Sequence, residues 1–240
     1  MASLGLKVML VVPDTNTTME RELRALWPEV TDLCWVGIPR PMRPIVASDL
    51  PEYRANALKA VAKLASVKPD IVLYGCTTAG YLAGPSGDTE MREALADTVG
   101  APAVTTASSM VEAMRHAGVS HPAIVTPYLE ASNQGLKKFL AAKGIEVAIL
   151  DSLLFTTTEQ YERAPADEVY KQAAVTGSDP RSDGLFIACT QLPTLGILDR
   201  LRAHLNKPVM GAVAATVWNA KQTLAARSSS AHREATKLRN

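Results

Sequence analysis

The chain has 240 residues, a hydrophobic fraction of 47% and a formal net charge of +1, which is enough apolar material for one large α/β domain or two lobes of ordinary size. Basic residues are spread along the sequence, so no electrostatic footprint for nucleic acid or a membrane surface precedes the C-terminal end. Three cysteines, an odd number far apart, fit neither a disulfide framework nor paired zinc ligands, and His116, His121, His204 and His232 have no metal-like spacing, so reduced thiols and no metal are expected.

The apolar stretch within Met1 to Val12 is short, lacks a small-residue cleavage site and meets a Pro13-Asp14 turn, as a first strand at Lys7 to Val12 would and an export signal would not. No run approaches the roughly 20 apolar residues of a membrane span, and a soluble, cytoplasmic protein is expected. Further strands are predicted at Leu33 to Ile38, Ile71 to Tyr74, Ala103 to Val104, Ala123 to Thr126, Val147 to Leu150, Leu185 to Ala188 and Pro208 to Met210. Helices are predicted at Thr17 to Leu26, Glu52 to Ala65, Thr89 to Thr98, Ser108 to Ala117, Glu130 to Ala142, Pro165 to Val175, Leu195 to Leu205 and Ala212 to Ala226, with Gly100, Gly118 and Gly144 as C-caps. Alternation of this kind implies parallel sheets covered by helices.

Two strands end in matching frames, Leu73-Tyr74-Gly75-Cys76-Thr77-Thr78 and Phe186-Ile187-Ala188-Cys189-Thr190-Gln191. Each frame leads into a helix and then a short strand introduced by proline, a pattern resembling an internal duplication. The expected division is a first lobe of residues 1–106 plus 209–227, a second lobe of 107–208, and a polar tail over 228–240 that frays, with a helical extension onto a neighbouring subunit as the weaker alternative. Both cysteines would then face a shared cleft, since ligands bind at the carboxyl ends of parallel strands.

A thiol beside oriented N–H groups can become a thiolate nucleophile, and two opposed thiols can divide the labour, one attacking while the other delivers a proton. Taken singly, either cysteine reads more simply as a small buried hydrophobe; the repeated frame with threonine next door turns the pair toward chemistry. Cys34 lies inside a strand pattern and is assigned to packing. Asp14-Thr15-Asn16-Thr17-Thr18, Thr105-Thr106 and Thr126-Pro127-Tyr128 carry hydroxyls, an amide and a phenol to other strand ends, where they can grip carboxylate oxygens. For Thr17 or Thr18 the alternative is helix capping, with Glu20 or Glu22 completing the first turn. Arg40 and Arg43 sit on a proline-stiffened loop from which a guanidinium can close over a dicarboxylate, although surface solvation is the simpler role. The glycine-rich stretch Gly80 to Gly87 lacks the order and lysine of a phosphate loop and is expected to be a mobile flap.

The opening Val11-Val12-Pro13-Asp14-Thr15-Asn16-Thr17-Thr18-Met19-Glu20 resembles the Pro-x-x-Asn-Thr-Thr-Met-Glu signature of the maleate cis-trans isomerases, a branch of the aspartate/glutamate racemase superfamily that also holds the arylmalonate decarboxylases. Cys76 and Cys189 fall at the superfamily's two catalytic-cysteine positions, and Pro127-Tyr128 matches a segment that supplies a substrate-binding tyrosine. The decarboxylases keep only the second cysteine. Thr77-Thr78 departs from the apolar residues of the isomerases, Cys189-Thr190-Gln191-Leu192-Pro193 leans toward the amino-acid racemases, and Phe155-Thr156-Thr157-Thr158-Glu159 stands where the isomerases use an asparagine. The resemblance implies two pseudo-symmetric α/β lobes and a cofactor-independent isomerase of a small unsaturated dicarboxylate. Cys76 and Cys189 would be catalytic, and Pro13, Asn16, Thr77, Thr78, Tyr128 and Thr190 would hold substrate. It also implies a homo-oligomer, dimer or tetramer, with no nucleic-acid or membrane partner. A racemase or epimerase, an arylmalonate-type decarboxylase and a non-catalytic carboxylate-binding module remain open alternatives.

Overall fold

Alternate residues of the first strand, β1 (Leu6–Pro13), feed two different cores: Val8, Leu10 and Val12 join one apolar cluster while Met9 and Val11 join another. A strand apolar on both faces belongs inside a parallel sheet covered on both sides. The computed structural model of the chain describes residues 5–41 and 43–237, with side chains of the last helix as far as Ser229.

After β1 come α1 (Thr17–Leu26), β2 (Val30–Ile38), α2 (Leu50–Ala62), β3 (Ile71–Tyr74), α3 (Thr77–Leu82), α4 (Gly84–Val99), β4 (Ala103–Thr105) and α5 (Thr106–His116). The second half continues with β5 (Pro122–Thr126), α6 (Glu130–Ala142), β6 (Ile149–Ser152), α7 (Thr158–Glu162), α8 (Ala166–Gly177), β7 (Gly184–Ile187), α9 (Leu195–Leu205), β8 (Val209–Gly211) and α10 (Ala212–Lys237). Two four-stranded parallel sheets result, ordered β2-β1-β3-β4 and β6-β5-β7-β8. The same order in both sheets puts β3 and β7, the two strands that lead into cysteine frames, at matching positions.

In the first sheet α2 and α4 cover one face through Tyr53, Ala57, Val61, Met91 and Leu95. The other face is covered by α1 and by α10, whose Val213, Val217 and Ala220 pack beside Met19 and Leu23. A third cluster fills the second lobe around Ile124, Phe139, Val169, Phe186 and Leu201. Gly100, Gly118 and Gly144 take left-handed backbone at φ of 70, 71 and 76°, as C-capping glycines do.

Several expectations change. β8 pairs in parallel with β7, so Val209–Gly211 belongs to the second sheet and the return to the first lobe begins at Ala212. Residues 228–237 continue α10 instead of fraying, and 238–240 lie outside the described residues. Gly80 to Gly87 is no flap: α3 and α4 run through it, joined at Gly84 with φ of 73°, and Tyr81 is buried beneath. Asn16, not Thr17 or Thr18, caps α1, accepting from the Met19 N–H at 3.1 Å. Glu20 pairs with Arg24. No helix among the described residues is long and apolar enough to cross a membrane.

Glu22 instead crosses between lobes. Its Oε1 accepts the backbone N–H groups of Thr194 at 2.7 Å and Leu195 at 2.9 Å, so this buried carboxylate holds the start of α9. Burial raises its pKa, and the two N–H bonds oppose that rise without cancelling it. Glu22→Ala strands two donors and is expected to cost about 3 kcal/mol, whereas Glu22→Gln keeps an acceptor oxygen and most of the stability. Because the folded pKa lies above the unfolded one, protonation favours the native state. Wild type should therefore gain on Glu22→Gln as pH falls through the raised folded value toward the unfolded value, which urea unfolding at several pH values measures.

Candidate active site

A strand that stops at a sheet's carboxyl edge leaves the next residues facing the space above it, and both cysteines stand there. Cys76 is two residues beyond β3 and directly precedes α3, with extended φ of −113°. The intervening Gly75 has no room for a side chain, since a Cβ would lie 2.2 Å from Met19 Sδ and 2.7 Å from Val12 Cγ1. Cys189 is two residues beyond β7 and has φ of +87°, a left-handed backbone that a side chain rarely adopts. Such strain costs on the order of 1–3 kcal/mol and tends to mark functional positions.

The two frames touch each other. Thr190 Oγ1, next to Cys189, donates to the carbonyl of Gly75, next to Cys76, at 2.8 Å; Asn16 Nδ2 donates to the same Thr190 oxygen at 3.0 Å. Asn16 is placed by its own N–H, which donates to the Pro13 carbonyl at 2.9 Å where β1 ends. Three strand ends, from β1, β3 and β7, are therefore joined through buried hydrogen bonds.

Arg40 closes the fourth side. The loop after β2 brings its Nη2 to Thr15 Oγ1 at 3.1 Å and Gln191 Oε1 at 2.8 Å, and Gln191 Nε2 donates back to the Thr15 carbonyl at 3.2 Å. Surface solvation is thus the wrong role for Arg40, which is half-buried and spans both lobes. It fits Arg43, which is exposed and paired with Asp49 at 2.7 Å.

Both thiols are buried, Cys76 at 5% and Cys189 at 7% exposure. Burial pushes each above the usual thiol range; acting against it at Cys76 are the Tyr53 hydroxyl, the Ala79 N–H and the Arg40 charge. At Cys189 the opposing groups are the Gln191 N–H, the Tyr128 hydroxyl, the Arg40 charge and the Leu192 N–H. One guanidinium therefore acts on both sulfurs.

Aromatic hydroxyls line the rest. Tyr128 sits 5.9 Å from Tyr81 and 6.0 Å from Tyr161, centroid to centroid. Tyr81 Oη contacts Ser132 Oγ at 2.7 Å and Thr78 Oγ1 at 3.5 Å. The hydroxyls of Tyr53, Tyr128 and Tyr161, together with Thr77 Oγ1 and Arg40 Nε, are buried without a well-formed hydrogen bond, those of Tyr53 and Tyr128 having only the sulfurs of Cys76 and Cys189 nearby to turn to. Buried polar atoms are nearly always satisfied, so orphans gathered beside two thiols mark a place built for a polar ligand.

Asn16 and Thr190 meet at this junction, Thr77 and Thr78 directly follow Cys76, and Tyr128 lies by Cys189; Pro13 contributes its carbonyl to the placement of Asn16. Thr105 and Thr106 serve the scaffold, through Asp88 at 2.8 Å and the Tyr74 carbonyl at 3.3 Å, and Thr126 is bonded to Asn133 at 2.7 Å. Cys34 is partly buried within β2 and packs against the first-lobe core. Tyr53, Tyr81 and Tyr161 were not legible as site residues: each lies on a helix whose apolar face alone explains an aromatic.

Two measurements probe the cysteines. Since burial outweighs the opposing groups, alkylation of Cys76 and Cys189 by iodoacetamide should keep accelerating beyond pH 9, and a plateau by about pH 8 would reverse that balance. Cys189→Gly should be more stable to urea than Cys189→Ala by about 1 kcal/mol, because only glycine relaxes at positive φ.

The profile of the arylmalonate decarboxylase family matches residues 8–236. A maleate isomerase of Geobacillus stearothermophilus is 24% identical over 235 residues, covering 91% of each chain. Among solved structures, the maleate isomerase Iso from Pseudomonas putida S16 superposes with a TM-score of 0.82 at 23% identity, over 91% of this chain and 92% of that one. A cysteine-to-serine mutant of the Nocardia farcinica maleate cis-trans isomerase, with a covalently bound succinylcysteine intermediate, has the same TM-score at 22% identity and covers the same shares. The likenesses in structure show a shared fold; the profile, spanning nearly the whole sequence, shows that this chain belongs to the arylmalonate decarboxylase family.

Proposed function

We propose that the chain is a cofactor-independent isomerase that converts a small cis-unsaturated dicarboxylate, typified by maleate, to its trans isomer through a covalent cysteine adduct. The observation that supports it most directly is the pair of thiols on opposing strand ends, tied by the Thr190–Gly75 bond and set among orphaned hydroxyls.

The chemistry balances with these groups alone. Starting from a Cys76 thiolate and a Cys189 thiol, the Cys76 sulfur pair forms a C–S bond to one alkene carbon. The π electrons move toward the carboxylate on the other carbon, whose developing charge is met by donors such as the Tyr128 hydroxyl. Cys189 gives its proton to that carbon, producing a succinyl thioether with a single C–C bond free to rotate. After rotation Cys189 takes the proton back, the C–S bond breaks, and the trans diacid leaves with the Cys76 thiolate restored. Asn16, Thr77, Thr78 and the backbone N–H of Thr190, whose hydroxyl is already committed to Gly75 and Asn16, are assigned to the carboxylates, a role supported by their place around the two cysteines.

Substrate scope separates this reading from its relatives. A decarboxylase would release carbon dioxide from a malonate, and a racemase would label an α-carbon with deuterium from heavy water. Proton NMR of maleate with the purified protein should show fumarate, and Cys76→Ser or Cys189→Ser should each lower turnover by about a thousandfold or more. In intact-protein mass spectrometry, Cys189→Ser should accumulate one maleate equivalent on Cys76. A Cys189→Ser variant both inactive and unmodified would reverse the assignment of roles, and the absence of any fumarate would end the isomerase reading.

A further inference from the structure

A half-buried guanidinium with neutral partners only is an unusual thing to keep beside two thiols. Arg40 spends two Nη2 bonds on the Thr15 hydroxyl and the Gln191 amide oxygen, its Nε is buried without a partner, and among the described residues it makes no ion pair. Burying an unmatched charge is costly, so a site that retains one is built for an anion to arrive.

We propose that Arg40 receives a carboxylate of the substrate and thereby selects doubly anionic molecules over monoanions of the same size. The inference deepens the reading of this site as a carboxylate site and rests on it.

Four features carry it. Thr15 precedes Asn16 and Gln191 follows Thr190, so the Arg40 head is anchored at the same junction that joins the strand ends around Cys76 and Cys189. Pro39 and Pro41 flank it and restrict the loop, which lessens the entropy lost when the side chain engages a ligand. The fork of N–H donors on a guanidinium matches a carboxylate, which outcompetes a hydroxyl or an amide oxygen as acceptor. The charge also favours the ionised forms of groups from four separate segments, Tyr53, Cys76, Tyr161 and Cys189, which places it centrally in the site.

The test needs no turnover. Wild type, Arg40→Gln, Arg40→Lys and the distant surface variant Arg181→Gln are alkylated with iodoacetate, which is anionic, and with iodoacetamide, which is neutral, and the rates at Cys76 and Cys189 are followed by peptide mass mapping. Both reagents attack the same thiolate, so changes in thiol acidity cancel in the ratio of rates. Wild type should favour iodoacetate at the framed thiols. Arg40→Gln should lower that preference about tenfold, Arg40→Lys should fall between, and Arg181→Gln should match wild type. An unchanged ratio in Arg40→Gln, or no reaction of either framed thiol with iodoacetate, overturns the proposal. Arg40-dependent selectivity in a protein that leaves maleate untouched would sink the isomerase reading and leave this one standing; conversion of maleate with an unchanged ratio would do the reverse.

Discussion

The bond from Thr190 Oγ1 to the Gly75 carbonyl is the constraint on which the site depends. It runs between residues that each adjoin a cysteine, on strands of different sheets, and it is buried, so its geometry is not averaged by solvent. Asn16 satisfies the threonine oxygen from a third strand end. A hydroxyl can donate one hydrogen bond while accepting another, and Thr190 uses both capacities at once. Glu22 adds a second crossing on the same side of the fold by holding the first turn of α9. The lobes are thus joined by polar contacts at their edges and also by apolar packing, since Tyr81 and Leu82 of α3 pack into the cluster that fills the second lobe.

The polar groups gathered at that junction bear on how thiol chemistry is possible at residues so well buried. Desolvation alone would leave both cysteines protonated, and at each one backbone N–H groups, a phenol and the Arg40 charge oppose it. None of these groups carries a negative charge that would cancel the guanidinium. A dry setting strengthens every such interaction, and it also magnifies the cost of polar atoms left unpaired. The orphaned hydroxyls of Tyr53, Tyr128 and Tyr161 are the visible form of that cost.

The elements that carry the chemistry were the easiest to read in the sequence. Ile71–Tyr74 and Leu185 to Ala188 are apolar runs ending in turn-forming and hydroxyl residues, a signal that depends on local patterning alone, and the strands fall within a residue of those positions. What escaped were features made by distant contacts. Gly80 to Gly87 reads as a loop because glycine is a poor helix former, yet Gly80 sits where a Cβ would come within 2.6 Å of Ala107, so close packing against α5 decides the matter. Arg40 reads as a surface residue because its partners, Thr15 and Gln191, lie far away in the chain. The continuation of α10 through a polar stretch reflects a helix already nucleated by its packed first turns, where adding residues needs little further support.

Matching topology does not make the two sulfurs equivalent. Two backbone N–H groups and a phenol face Cys189, while one N–H and one phenol face Cys76. More donors hold an anion more firmly, so Cys189 gives up its proton the more readily of the two and its thiolate is the weaker nucleophile and base. The proposed roles follow this asymmetry, with sulfur attack from the less restrained Cys76 and proton transfer from Cys189. The strained backbone at Cys189 works in the same direction, since φ of +87° lets successive N–H groups at Gln191 and Leu192 turn toward one sulfur. Asymmetry of this kind is what a reaction needs when it must add to one carbon and protonate its neighbour.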